Sequence, residues 1–192
     1  MPVVTAAAAG LGTQAWSGVG DPDPERVPNQ DWPAQPNPKP SKQFFTSTWN
    51  FSTGSCPWLE CQRTWHRNPR GNERLPRPGE RLWLLDPLPA TLIFVIDTLD
   101  DFRELAVPYP QRREDNALDT TLAPHWRHIT ESAQFSGVRV TENAIEEGKA
   151  QLPADQPRFS GWDLESTLWF RWSLTNPRCH GRIVDVWTVE RV

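Results

Sequence analysis

A chain of 192 residues is long enough for one domain with a real core. Its net charge of -4 excludes a global basic field for nucleic acid. No apolar run approaches the length of a membrane span, since the longest near the centre, Leu92-Ile93-Phe94-Val95-Ile96, is strand-sized. The 11 Trp far exceed ordinary usage, and side chains of that apolar area belong in a core or an interface. Positive charge is almost all Arg, with Lys only at 39, 42 and 149. That bias fits GC-rich coding first, with Arg chosen for phosphate recognition as the sharper alternative. The 3 Cys are an odd number, which fits a reducing, cytoplasmic setting better than a disulfide framework. The Ala run near the start is short and follows no basic residue, so it does not read as a signal peptide.

In chain order, residues 1–40 read as an extended Pro-rich arm. Asp21-Pro22-Asp23-Pro24 and Pro36-Asn37-Pro38-Lys39-Pro40 favour polyproline II and cannot be helix interior. Trp16 and Trp32 look like anchors that pin such an arm into a groove, on its own domain or on a protein partner. Residues 41–192 are expected to form a single domain. Gln43 to Trp49 reads as a strand, and Asn50 to Gly79 as loop with a short helix around Pro57 to His66. Strands follow at 81–85 and 91–97. Thr98 is a candidate N-cap for a helix to about Val107, stopped by Tyr109-Pro110. A second helix fits 117–131, with Pro124 near its start. Val138 to Thr141 reads as a strand, Ala144 to Ala150 as a short helix or turn, and Ile183 to Val189 as a last strand. Strands outnumber helices in irregular order. The expected class is α+β: mostly antiparallel strands with a few short helices, preceded by the arm.

The densest aromatic stretch is Gly161 to Trp172, where side chains from Ser166 onward alternate as in a strand. Asp163 and Glu165 sit two apart at its mouth and would share a face. Burying two carboxylates is costly and needs a reason. One reason is catalysis, with one carboxylate orienting and the other stabilising a developing cation. The other is structural pairing with Arg171, Arg158 or backbone amides. Thr46-Ser47-Thr48 lies between Phe45 and Trp49. Hydroxyls flanked by rings fit a nucleotide pocket, and they also fit an ordinary edge strand. Cys56, Cys61 and His66 are spaced too widely for a zinc site, and His125 and His128 lack an acidic third ligand, so no metal is expected. Arg112-Arg113 and the group Arg67, Arg70, Arg74, Arg77 are local basic clusters, the second suited to an anion-binding loop or to plain solvation. No Walker loop, G-x-G-x-x-G, G-x-S-x-G or H-E-x-x-H occurs.

Three segments carry a resemblance: Asn37-Pro38-Lys39-Pro40 leading to Phe45-Thr46-Ser47-Thr48-Trp49; Phe94 to Asp101 with Tyr109-Pro110; and Trp162 to Trp169. Together they resemble a family of uncharacterised proteins from actinobacteria and their phages. The triplet and the Asp163-Leu164-Glu165 turn also resemble ADP-ribosyltransferases of the class with an Arg, a Ser-Thr-Ser strand and a catalytic Glu. That resemblance implies NAD as a substrate, with Glu165 and Asp163 catalytic. Glu165 would hydrogen-bond the ribose and stabilise the oxocarbenium ion as nicotinamide leaves. Thr46, Ser47, Thr48, Trp49 and Trp162 would then line the NAD site. The sequence departs from the class in three ways. The acidic turn has Asp163 where the class has Glu or Gln, and the triplet and the turn lie farther apart than the class usually shows. No Arg on an obvious first strand precedes the triplet, Arg26 lying in the arm. The competing expectation is a non-enzymatic phage or virion structural or accessory protein whose arm docks on a neighbouring subunit, in the host cytoplasm or on the particle. A third is a toxin or anti-defence binding module without chemistry.

Overall fold

The computed structural model describes residues 3–18, 20–27, 43–65, 80–106, 108, 124–151, 162, 164–183 and 189–190. Among these described residues, nine strands and four short helices form an α+β fold. The strands are β1 (Val3–Thr5), β2 (Gln14–Gly18), β3 (Phe44–Thr48), β4 (Arg81–Pro87), β5 (Leu92–Ile96), β6 (Gly137–Val140), β7 (Ser166–Trp169), β8 (Leu174–Ile183) and β9 (Val189–Glu190). The helices are α1 (Pro57–Trp65), α2 (Leu99–Ala106), α3 (Trp126–Ser132) and α4 (Glu142–Gln151). All strands join one sheet in the order β1-β5-β6-β7-β3-β2-β4-β8-β9. Among the described strands only β5 and β6 run parallel, as expected where α2 and α3 lie between them in the chain. No helix among the described residues is long and apolar enough to cross a membrane.

The sheet cannot be flat. Pro87 ends β4 and Leu92 begins β5, with four residues between them, yet the two strands are five places apart in the sheet. Five flat spacings would measure about 24 Å. The connection spans at most roughly 18 Å. The sheet therefore curls until β4 and β8 face β5 and β7. Packing agrees, because Leu85 and Leu174 share one core cluster with Ile93, Phe44 and Trp169. Ala6, Leu11 and Val27 close that inner core.

Each outer face has its own cover. On the β5-β6-β7 side, Phe94, Ile96, Val138, Val140 and Leu168 meet α2, α3 and α4 through Phe102, Leu105, Trp126, Ile129, Ala144 and Ile145. On the β2-β4-β8 side, Ala15, Leu82, Leu84 and Ile183 meet Cys56 and Leu59 at α1. Side chains on each strand alternate between inner and outer cores, as pleating requires.

Local chemistry explains the helix starts. Thr98 caps α2 reciprocally: Asp101 Oδ2 accepts from Thr98 N at 2.9 Å, and Thr98 Oγ1 accepts from Asp101 N at 3.2 Å. Glu147 of α4 accepts from Leu99 N at 3.0 Å and ties the two helices together. His125, expected at the surface, caps α3 by accepting from His128 N through Nδ1 at 3.1 Å.

The N-terminal reading changes. Val3–Thr5 and Gln14–Gly18 are sheet strands, and between them Ala6 and Leu11 are buried in the inner core with Ala9 packed against it. A β-branched run and an alternating segment were hidden by the Pro-rich sequence that follows them. Trp16 is not an arm anchor: it stacks on Phe44 at 5.3 Å within the sheet. Trp32 and the Pro-rich stretch around it lie outside the described residues, as do Tyr109-Pro110, Arg112-Arg113 and the Arg67 to Arg77 cluster. Of the expected last strand at 183–189, Ile183 ends β8 and Val189 begins β9, while 184–188 lie outside the described residues.

Two local constraints tie adjacent strands together, and the first is a clasp at Asp86. This β4 carboxylate accepts from both Arg178 guanidinium nitrogens at 2.6 and 3.0 Å and from Thr13 Oγ1 at 2.8 Å. The hydrogen bond from Arg178, followed by that from Thr13, holds the Asp86 carboxyl below its usual range despite an opposing effect of burial. A lowered folded value stabilises at pH above the unfolded value and is lost as pH falls below it. The pair is partly exposed, so Asp86→Asn should cost about 0.5–1 kcal/mol at pH 7. Thermal denaturation should show that difference shrinking below about pH 4.

Gly137 is the second constraint. A Cβ there would stand 2.7 Å from the Leu168 carbonyl oxygen and 3.2 Å from the Trp169 ring. Backbone cannot yield cheaply, so Gly137→Ala should destabilise by about 1–3 kcal/mol in denaturant melts.

Candidate functional site

The register of the sheet assembles a polar cluster on its inner face. Thr46 of β3 lies opposite Thr167 of β7, and Thr167 lies opposite Arg139 of β6. Thr46 and Thr48 share the inward face with Phe44, while Phe45, Ser47 and Trp49 point outward. Gln14 on β2 pairs with Thr48 and also points inward, because Ala15 packs in the outer core. Glu165 immediately precedes β7.

These side chains form one continuous hydrogen-bonded chain. Trp169 Nε1 donates to Thr46 Oγ1 at 2.8 Å. Thr46 Oγ1 donates to Gln14 Oε1 at 2.7 Å. Gln14 Nε2 donates to Thr48 Oγ1 at 3.3 Å and to Gly12 O at 3.0 Å. Thr48 Oγ1 donates to Glu165 Oε1 at 2.8 Å. Arg139 Nη2 donates to the same oxygen at 2.8 Å, and Nη1 to Ala9 O at 2.7 Å. Glu165 Oε2 accepts no hydrogen bond from the described residues. Arg139 Nε is buried without a partner among them.

Burial makes the cluster electrostatically consequential. The Arg139 and Glu165 side chains are only 16% and 19% exposed. Gln14 is fully buried and Thr46 nearly so. Buried polar groups are costly unless paired; each side chain of this network has at least one partner, and Arg139 Nε is the buried atom left without one among the described residues.

The expected site residues divide between faces. Thr46, Thr48 and Glu165 come together on the inner side. Ser47, expected to shape the pocket, turns outward toward Cys56, and its hydroxyl reaches the Glu165 carbonyl at 3.3 Å rather than the carboxylate. Trp49 is buried in the α1-side core, edge-on to His180 at 4.8 Å. Trp162 is buried in the helical-side core against Phe45 and Trp126. Neither Trp shares the inner face with the Glu165 carboxylate. Asp163 lies outside the described residues.

Glu165 pairs with Arg139, not with Arg171, whose guanidinium donates to the Phe135 and Ala133 carbonyls at 3.0 and 2.7 Å. Arg158 lies outside the described residues. The residues missed from sequence are Gln14 and Arg139. Gln14 was hidden in the supposed arm. Arg139 was detectable as the lone charge in the Val138-Arg139-Val140 alternation, where a strand with one apolar face holds Arg inward only for a partner.

Burial pushes the Cys56 thiol up to about 11, so it is protonated and inert at neutral pH. Cys56, Cys61 and Cys179 are free thiols. Among the described residues, no three His, Cys, Asp or Glu side chains converge as a metal would require. No family model, no curated protein and no solved structure matches the chain.

The ion pair makes its own prediction. Arg139→Met leaves Glu165 largely buried without its cation, and should cost about 2–3 kcal/mol in urea unfolding, because removing one partner strands the other. Arg139→Met with Glu165→Leu should recover part of that loss, since an apolar pair strands nothing.

Proposed function

We propose that the inner-face cluster is a site for NAD and that the protein is an ADP-ribosyltransferase-like enzyme centred on Glu165. The supporting observation is the hydrogen bond from Thr48 Oγ1 to Glu165 Oε1, 117 residues apart in sequence. It joins the two motifs that carry the resemblance. The Arg that the class has ahead of its triplet is not found there; the Arg that meets Glu165 here is Arg139, from later in the chain. In this reading Glu165 Oε2 faces the ribose. The bond from ribose C1′ to the nicotinamide nitrogen breaks, and its electron pair leaves with neutral nicotinamide. The carboxylate stabilises the cationic ribosyl that remains. Water or an acceptor nucleophile then adds at C1′ and loses a proton.

A second reading is a non-enzymatic subunit, of the phage or virion kind the first resemblance suggests. The observation favouring it is the filled interior: Phe44, Leu85, Ile93 and Trp169 all pack under the curl. In that case the Arg139–Glu165 pair is an internal brace.

Nicotinamide release from NAD by the full chain, beside Glu165→Gln, separates the two. The enzyme reading expects release that falls about 100-fold or more in the variant, the scale of losing an electrostatic stabiliser. No release from either, and no rise in melting temperature with NAD, contradicts it.

A further inference from the structure

The direction of the inner hydrogen-bond chain is fixed at one end. An indole N–H only donates, so Thr46 Oγ1 accepts from Trp169 and must spend its own proton elsewhere. That proton goes to Gln14 Oε1, which sets the orientation of the Gln14 amide. Gln14 Nε2 is thereby turned to Thr48, whose hydroxyl accepts and can only pass its proton on to Glu165 Oε1. Every link points toward the carboxylate. Arg139 meets the same oxygen from β6, its guanidinium anchored by Ala9 O. Two donors, one from β3 and one from β6, thus meet Oε1 and leave Oε2 unengaged by the described residues.

We infer that Gln14 and Arg139 are positioning residues for Glu165: the donor chain ending in Thr48 and the anchored guanidinium clamp one carboxylate oxygen so that the other faces the reacting ribose. This rests on the NAD reading of the site. Gln14 is the hinge of the device, because it is the link that turns an acceptor side toward Thr46 and a donor side toward Thr48. A fully buried amide is a poor choice for core packing alone. Arg139 suits its place through its fork. A Lys would carry the charge but could not bond Ala9 O and Glu165 Oε1 in the same fixed plane.

The test uses the full chain and two independent readouts. The first is NAD affinity and nicotinamide-release turnover for wild type, Thr48→Val, Gln14→Met and Arg139→Lys. Thr48→Val keeps the volume and cuts the chain, which guards against a Gln14 variant that does not fold. The expected result is turnover lowered at least about tenfold and by clearly more than NAD affinity falls, because positioning acts on the transition state more than on binding. The second readout is a double-mutant cycle in denaturant on Gln14→Met and Glu165→Gln, with Thr48→Val in place of Gln14→Met if the latter does not fold. Gln14 and Glu165 share no hydrogen bond, yet the folding equilibrium constants should be non-additive by about threefold or more. An additive cycle, or variants that lose affinity and turnover together, overturns the positioning role. Wild type without nicotinamide release overturns the NAD reading and, with it, the catalytic purpose of Gln14 and Arg139, while the cycle still decides whether the clamp exists.

Discussion

Between β4 and β5 the chain has four residues in which to cross the width of five strand spacings, and it does so by bending the sheet over itself. Everything else follows from that closure. The curl creates an inner face that ten or so angstroms of side chain must fill, and it leaves two outer faces that need separate covers. Helices α2, α3 and α4 close one, and α1 closes the other. Ala6 and Leu11 anchor the segment between β1 and β2 on the inner core, and from there the Ala9 carbonyl reaches Arg139.

The inner face is divided by chemistry. Phe44, Leu85, Ile93 and Leu174 make its apolar part. Beside them run Gln14, Thr46 and Thr48, which an apolar interior tolerates only as a satisfied network. Trp169 belongs to both, its ring in the core and its N–H at the head of the network. Among the described residues the network ends at Glu165. That convergence of donors on one carboxylate is what supports the chemical role proposed for it.

Much of the scaffold was legible from pattern. The run Leu92 to Ile96 is β-rich and strand-length, Thr98 with Asp101 carries its own cap, and Ser166 to Trp169 alternates as expected. These are local signals, written in neighbouring residues. What escaped was non-local. Nothing in Gln14-Ala15-Trp16 announces a central strand when a Pro-rich stretch follows, because its partners β3 and β4 lie dozens of residues later. The site was half legible for the same reason. The triplet and Glu165 stand out by composition, but the face each residue takes depends on register. Register sends Thr46 and Thr48 inward, and it sends Ser47, Trp49 and Trp162 to outer cores. Arg139 became a site residue only when β6 was placed beside β7.

An NAD titration followed by nitrogen–proton NMR bears on the Glu165 site without relying on turnover. A site on the inner face predicts saturable shifts at the backbone amides of Thr48 and Glu165 and at the Trp169 indole N–H, whose hydrogen bond heads the chain that ends at the carboxylate. The Trp126 indole, in the opposite core, should stay still. Shifts confined to the helical side, or none at millimolar NAD, would contradict it and leave the inner cluster as a brace for the curled sheet.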